Sequence, residues 1–128
     1  MDNNVSFENV SAEIVKVLSA YTEELAEGIK QDARDVSKDL IKNLKRDSPK
    51  RTGDYSKGWR IKVEEDTRDR IQLRAYNAKK HWITHLLENG YAKRNGGRVP
   101  GIKHIRKNEQ EAIEEFENRV ERRIQNGN

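Results

Sequence analysis

The chain contains no cysteine, so neither a disulfide nor a thiolate metal site can form. No stretch approaches the ~18 consecutive apolar residues of a membrane-spanning helix. The opening residues, MDNNVSFENVSAEI, have neither the basic start nor the apolar run of a secretory signal. Together these features predict a soluble protein made in the cytoplasm. Apolar residues are scarce as well, at 33% against 38% charged, where soluble domains average about 45–50% apolar and about 25% charged. At 128 residues the sequence allows one domain. Such a lean composition fits a partly disordered chain, or an ordered subunit whose core is completed by neighbouring copies. No internal repeat and no low-complexity tract is present.

The catalytic signatures are missing too. No GxSxG, GxxxxGK[ST] or GxGxxG occurs, and Asn95-Gly-Gly-Arg98 runs into Val-Pro-Gly rather than a helix start, so it is no phosphate cradle. The acidic residues lie in runs that read as solvated helix faces. His81 and His85 stand four apart, a spacing that lets two imidazoles share a metal with Glu88 as a third ligand. However, Trp82 follows His81 where a HExxH site needs Glu, and the stretch reads as packed against protein. No catalytic residue, metal site or cofactor is predicted.

What is present is patterned charge and helical spacing. The net charge is +4, but its placement is uneven. Lys42 to Lys62 carries eight basic residues against two acidic ones. Tyr91 to Lys107 carries Lys93, Arg94, Arg98, Lys103, Arg106 and Lys107 with no acid, before Glu109, Glu111, Glu114, Glu115 and Glu117 reverse the sign. A basic segment beside an acidic helix suits a polyanion or the complementary face of a neighbouring subunit.

Apolar residues at Ile14, Leu18, Tyr21, Leu25, Ile29, Ala33, Val36, Leu40 and Leu44 keep steps of three and four, predicting one long helix capped by Ser11 and stopped by Ser48-Pro49. Gly28 should weaken that helix and is a candidate break. Trp59–Val63 and Arg70–Tyr76 alternate apolar and polar residues, as the strands of a hairpin do. A short helix is expected over about Ala78 to Glu88, capped by Asn77, closed by Gly90 and burying Trp82, Ile83, Leu86 and Leu87. Tyr91 to Gly101, with three glycines and a proline, reads as a mobile loop. A last helix is expected over about Lys107 to Arg123 with Ile113, Phe116, Val120 and Ile124 at helical spacing, and a frayed tail over 125–128.

Two stretches carry a resemblance: Ser48-Pro-Lys-Arg-Thr-Gly-Asp-Tyr-Ser-Lys-Gly-Trp59, and His81-Trp-Ile-Thr-His-Leu-Leu-Glu-Asn-Gly-Tyr-Ala-Lys-Arg-Asn-Gly-Gly-Arg98 running on to Lys103-His-Ile-Arg106. Together they resemble the tail-completion, or minor tail component, family of long-tailed phages and prophages, over about residues 10–125. Tyr91, Lys103 and Lys107-Asn108 depart from the family's usual His, Pro and Pro-Ala.

The resemblance implies an α+β single domain (1–128) with a long N-terminal helix packed on a small antiparallel sheet, a short middle helix and a C-terminal helix. Residues 91–104 would form a mobile basic loop. It further implies a structural, non-enzymatic virion protein of the neck or upper tail, needed for tail completion or head–tail joining. Such a protein would assemble as a ring with copies of itself and with other neck and tail proteins, touching genomic DNA transiently, with no membrane or small-molecule ligand.

Pro49, Thr52, Gly53, Thr84, His85, Glu88 and Gly90 are expected to be structural. Thr52 and Gly53 would shape the approach to the first strand, and Thr84, His85 and Glu88 would share a local polar network. Lys93, Arg94, Arg98, Lys103 and Arg106 are expected to contact DNA or an acidic neighbouring subunit. The alternative reading is a non-specific nucleic-acid-binding module using the basic segment 91–107.

Overall fold

The computed structural model describes residues 10–50 and 53–127. In chain order these form β1 (Ala12–Val17), α1 (Glu23–Asp47), a one-turn helix α2 (Asp54–Lys57), β2 (Trp59–Asp66), β3 (Arg70–Asn77), a 3-10 turn (His81–Ile83), α3 (Thr84–Asn89), β4 (Gly90–Ala92), β5 (Arg98–Pro100) and α4 (Ile105–Gln125). The architecture is α+β: a three-stranded antiparallel sheet ordered β1-β3-β2, a separate β4–β5 ribbon, and two long helices.

The long helix does not start at Ser11. Residues Ala12–Val17 form an antiparallel strand against β3, pairing Ala12 with Ala75 and Ile14 with Leu73. Ala12 and Ile14 point to the core while Val15 and Val17 face outward. Helix α1 begins after Thr22, whose hydroxyl accepts from the Leu25 amide at 3.1 Å, with Glu23 and Glu24 in the first turn facing the positive end of the helix dipole. It stops at Ser48, held extended (ψ 147°) ahead of Pro49.

Ala26, Ile29, Ala33, Val36, Leu40 and Leu44 form the buried stripe of α1. Each large member of such a stripe contributes roughly 1.5–3 kcal/mol relative to exposure. Against it lie Ile71, Leu73 and Ala75 of β3 and Ala112, Phe116 and Val120 of α4, which completes one core.

Gly28 does not break α1. A Cβ there would stand 2.4–2.7 Å from atoms of the Arg123 side chain, so this glycine lets an α4 side chain cross the helix surface. Arg123 grips Asp32 through two bonds of 2.9 Å. At the opposite end of the helix pair, Asn108 donates to the Asp47 carboxylate at 3.0 Å. The two helices therefore run antiparallel with a polar tie at each end.

The predicted hairpin is present, with a register irregularity between Val63 and Glu65. The middle helix is shorter than expected and turned differently. Asn77 accepts from Lys79 and Lys80 amides at 3.1 and 2.8 Å, making a turn rather than a helix cap, and helix geometry starts only at Thr84. Trp82 is 55% exposed, and the residues α3 buries are Thr84 and Glu88. Near the carboxyl end, α4 starts at Ile105 and buries Phe116 and Val120, while Ile113 and Ile124 face out.

Candidate functional site

The loop after α1 and the first turn of α4 meet through buried polar side chains. The Ser48 hydroxyl donates to the Leu44 carbonyl at 2.5 Å and accepts from the Trp59 indole N–H at 2.8 Å. Gly53, at φ 88°, occupies the left-handed region that favours glycine and turns the chain into α2. Its role is thus to start a helical turn that precedes the strand. Thr52, expected to act with it, lies outside the described residues. Helix α2 brings in Tyr55, whose ring meets Trp59 and His104 edge-on at centroid distances of 5.7 and 5.5 Å. Asn77 donates to the Tyr55 carbonyl at 2.8 Å, tying β3 to the same cluster.

Glu88 is the centre of this arrangement. Helix α4 has no side-chain cap of its own. Instead the Glu88 carboxylate, reaching across from α3, accepts from the amides of His104 and Ile105 at 2.8 Å and of Arg106 at 3.0 Å. Those are three of the four amides that a helix start leaves unpaired, placed where its dipole favours an anion.

His104 Nδ1 lies 2.6 Å from the Ile102 carbonyl and 3.1 Å from Glu88 Oε1, two acceptors that place a proton on that nitrogen. In the neutral ring Nε2 then accepts from the Tyr55 hydroxyl at 2.7 Å. Burial, helped by the Glu88 charge, raises the Tyr55 pKa, which keeps that hydroxyl a donor. Burial also pushes the Glu88 carboxyl up, but the His104 side chain and the three amides outweigh it and hold the pKa at about 2. Beside this cluster Arg46, and then Asn108 and Lys107, hold the Asp47 carboxyl well below the usual range against the effect of burial.

The segment expected as a basic loop carries the β4–β5 ribbon, which pairs Gly90 with Pro100 and Ala92 with Arg98. Its base is built on backbone contact. A Cβ on Gly90 (φ 82°) would meet the Val99 carbonyl at 2.5 Å, and one on Gly101 would meet the Glu88 carbonyl at 2.4 Å. The Ile102 amide donates to the Leu87 carbonyl at 2.8 Å. At the tip, Lys93 and Gly97 pair through their backbone and Gly96 has open space around it.

A profile of the family described as "Bacteriophage HK97-gp10, putative tail-component" matches residues 12–90. The chain belongs to the HK97-gp10-like family. No curated protein and no solved structure matches it. The matched span of this phage tail-component family takes in both core strands of the hairpin, α1 and the Glu88–Gly90 corner, and stops where the basic ribbon begins. The motif resemblance extends to about residue 125, and the match covers its first two thirds.

The residues singled out from sequence separate into two groups. Pro49, Gly53, Thr84, Glu88 and Gly90 lie in the framework around the buried cluster. Thr84 accepts from the Val10 amide and donates to the His81 carbonyl, both at 3.0 Å. It does not join Glu88 and His85 in a local network: the imidazole beside Glu88 is His104, and buried His85 Nδ1 has no hydrogen-bond partner among the described residues. His81 stacks edge-on with exposed Trp82. Among the described residues no group of three or more His, Asp or Glu side chains is arranged to hold a metal ion, and no helix is long and apolar enough to cross a membrane.

The basic group also divides. Lys93, Arg94 and Arg98 are exposed on the ribbon and form no ion pair among the described residues, though Arg98 reaches the Asn89 carbonyl at 3.5 Å. Lys103 donates to the Asn89 side chain at 3.0 Å. Arg106 points elsewhere: it bonds the Ser11 carbonyl at 3.0 Å and pairs with Glu109, bracing α4 against the start of β1.

Sequence reading missed Ser48, Tyr55, Trp59, Asn77 and Asn108 as members of the cluster. For Ser48, Tyr55 and Trp59 the available signal was their place inside the first motif stretch, beside Pro49 and Gly53; Asn77 and Asn108 lie outside both stretches.

Proposed function

We propose that the protein is a structural virion subunit of the phage neck or upper tail, required for tail completion or head–tail joining, and that it works through subunit–subunit contacts without catalysis. Membership of a phage tail-component family supports the virion setting. The observation that carries the assembly role is the way a buried polar cluster fixes the projecting β4–β5 ribbon to the start of α4. A ribbon held at a set angle, with cations on it that form no ion pair among the described residues, is suited to docking. A ring of copies, joined to other neck and tail proteins, is the form such docking takes when the rotation between subunits closes.

The test is deletion of the reading frame from the parent phage or prophage, with the lysate viewed by electron microscopy. Separate heads and tails, or tails of irregular length, are expected; normal joined particles would overturn the reading. Exposed Lys93, Arg94 and Arg98 favour one second reading, a non-specific nucleic-acid-binding module. Steep loss of duplex DNA affinity with salt in the purified protein would support it.

A further inference from the structure

We infer that the β4–β5 ribbon of one copy docks on the outward face of α4 of a second copy, in a head-to-tail contact. This rests on the assembly reading above and names its two surfaces. The donor surface is Lys93, Arg94 and Arg98 with Tyr91 and Ile102 at the base, both apolar and exposed. The receiving surface is the stripe Ile113, Glu117, Glu121 and Ile124, whose steps of three and four put it on one face of α4, with Glu114 beside Ile113. Ile113 and Ile124, 41% and 44% exposed, stand near its two ends with the carboxylates between them. Opposite charges around exposed apolar side chains on both surfaces give the complementarity of a specific protein contact.

The two surfaces do not satisfy one another within a chain. Glu117 pairs with Lys16 at 3.4 Å, and Glu114 and Glu121 make no ion pair among the described residues. The ribbon is anchored at the first turn of α4. The stripe begins eight residues later and runs to the far end, roughly 12–28 Å along the axis at about 1.5 Å per residue. Donor and receiver therefore lie at different ends of one subunit, so the contact is heterologous and repeats from copy to copy. Nucleic acid is the less favoured occupant, because Tyr91 and Ile102 and the acidic partner stripe would then be unexplained.

The test uses the full chain in two variants, Lys93→Glu with Arg94→Glu, and Glu114→Lys with Glu121→Lys, followed by sedimentation over a range of concentration and salt. The native protein should self-associate, less so at high salt. Each variant alone should associate at least about tenfold more weakly. An equimolar mixture should recover association in alternating assemblies, while Lys42→Glu, away from both surfaces, should change nothing. A native chain that stays monomeric, or variants whose mixture fails to recover, would overturn the contact. So would loss of DNA binding in the ribbon variant with self-association untouched. The deletion phenotype is read from particles, so it can stand or fall separately from this contact.

Discussion

The Glu88 corner and the ribbon it supports adjoin each other but are built on opposite principles. Around Glu88 one buried carboxylate bonds three amides of the α4 start, and backbone passes so close to Gly90 and Gly101 that no side chain fits. Twenty or so Å³ of slack would be enough to admit a water there, and burial without full bonding would be costly. At the ribbon tip the backbone has open space, and the cations form no ion pair among the described residues. One region spends its chemistry on holding a shape, the other leaves its chemistry unused within the chain. The family match ends at Gly90, so it takes in Glu88 but neither the ribbon nor the α4 start that Glu88 bonds.

The largest expected effect comes from breaking the corner. Glu88→Ala leaves three amides of the α4 start without their acceptor and His104 Nδ1 with only the Ile102 carbonyl, and should cost about 3–5 kcal/mol in urea unfolding, as removal of one partner from a buried charged network does. The acid dependence has a definite sign. The folded Glu88 pKa is about 2, below its ordinary value of 4.5. Its stabilisation is therefore complete above about pH 5 and is lost as pH falls from there through about 2. Unfolding free energy measured across that window should drop in the native protein and flatten in Glu88→Gln. Equal slopes in the two would mean that Glu88 does not carry the charge at the helix start.

Glycine substitutions sharpen the contrast within the ribbon itself. Gly90→Ala places a methyl 2.5 Å from a backbone carbonyl at a positive φ, so it should cost about 2–4 kcal/mol and disturb the ribbon. Gly96→Ala, also at positive φ but in open space, meets only the conformational penalty of about 1–2 kcal/mol. Thermal unfolding of both variants checks the order. If Gly96→Ala proves as damaging as Gly90→Ala, the base is not the rigid part.

Sequence made the local pieces legible and the long-range ones not. Helix α1 from Leu25 to Leu44 is plain because its buried stripe repeats every three or four residues. Strand β1 was hidden by coincidence: Ile14, Leu18 and Tyr21 continue that helical spacing backwards across a strand and a turn. The contrary signal was Glu13-Ile-Val-Lys-Val17, rich in β-branched residues, followed by Thr22-Glu-Glu as a helix start. Gly28 looks like a weakness in sequence because the residue that fills the space over it, Arg123, is 95 positions away. Likewise sequence spacing groups Glu88 with His85, its neighbour on α3, whereas its partner is His104, sixteen residues on. Periodicity reports which face of an element is buried; it does not report which element lies against that face.

The smallest expected effect on the fold is also the one that separates holding a shape from using it. Lys93→Ala with Arg94→Ala removes two exposed cations whose side chains form no ion pair among the described residues, so unfolding free energy should stay within about 0.5 kcal/mol of native. The same variant should weaken self-association in sedimentation, by less than the charge reversal does, because it removes attraction without adding repulsion. Paired measurements on one protein preparation make the point directly. A stable variant with weakened association means the tip is kept for contact. A loss of stability comparable to that of Glu88→Ala would mean that the tip belongs to the framework and the division drawn at Gly90 is wrong.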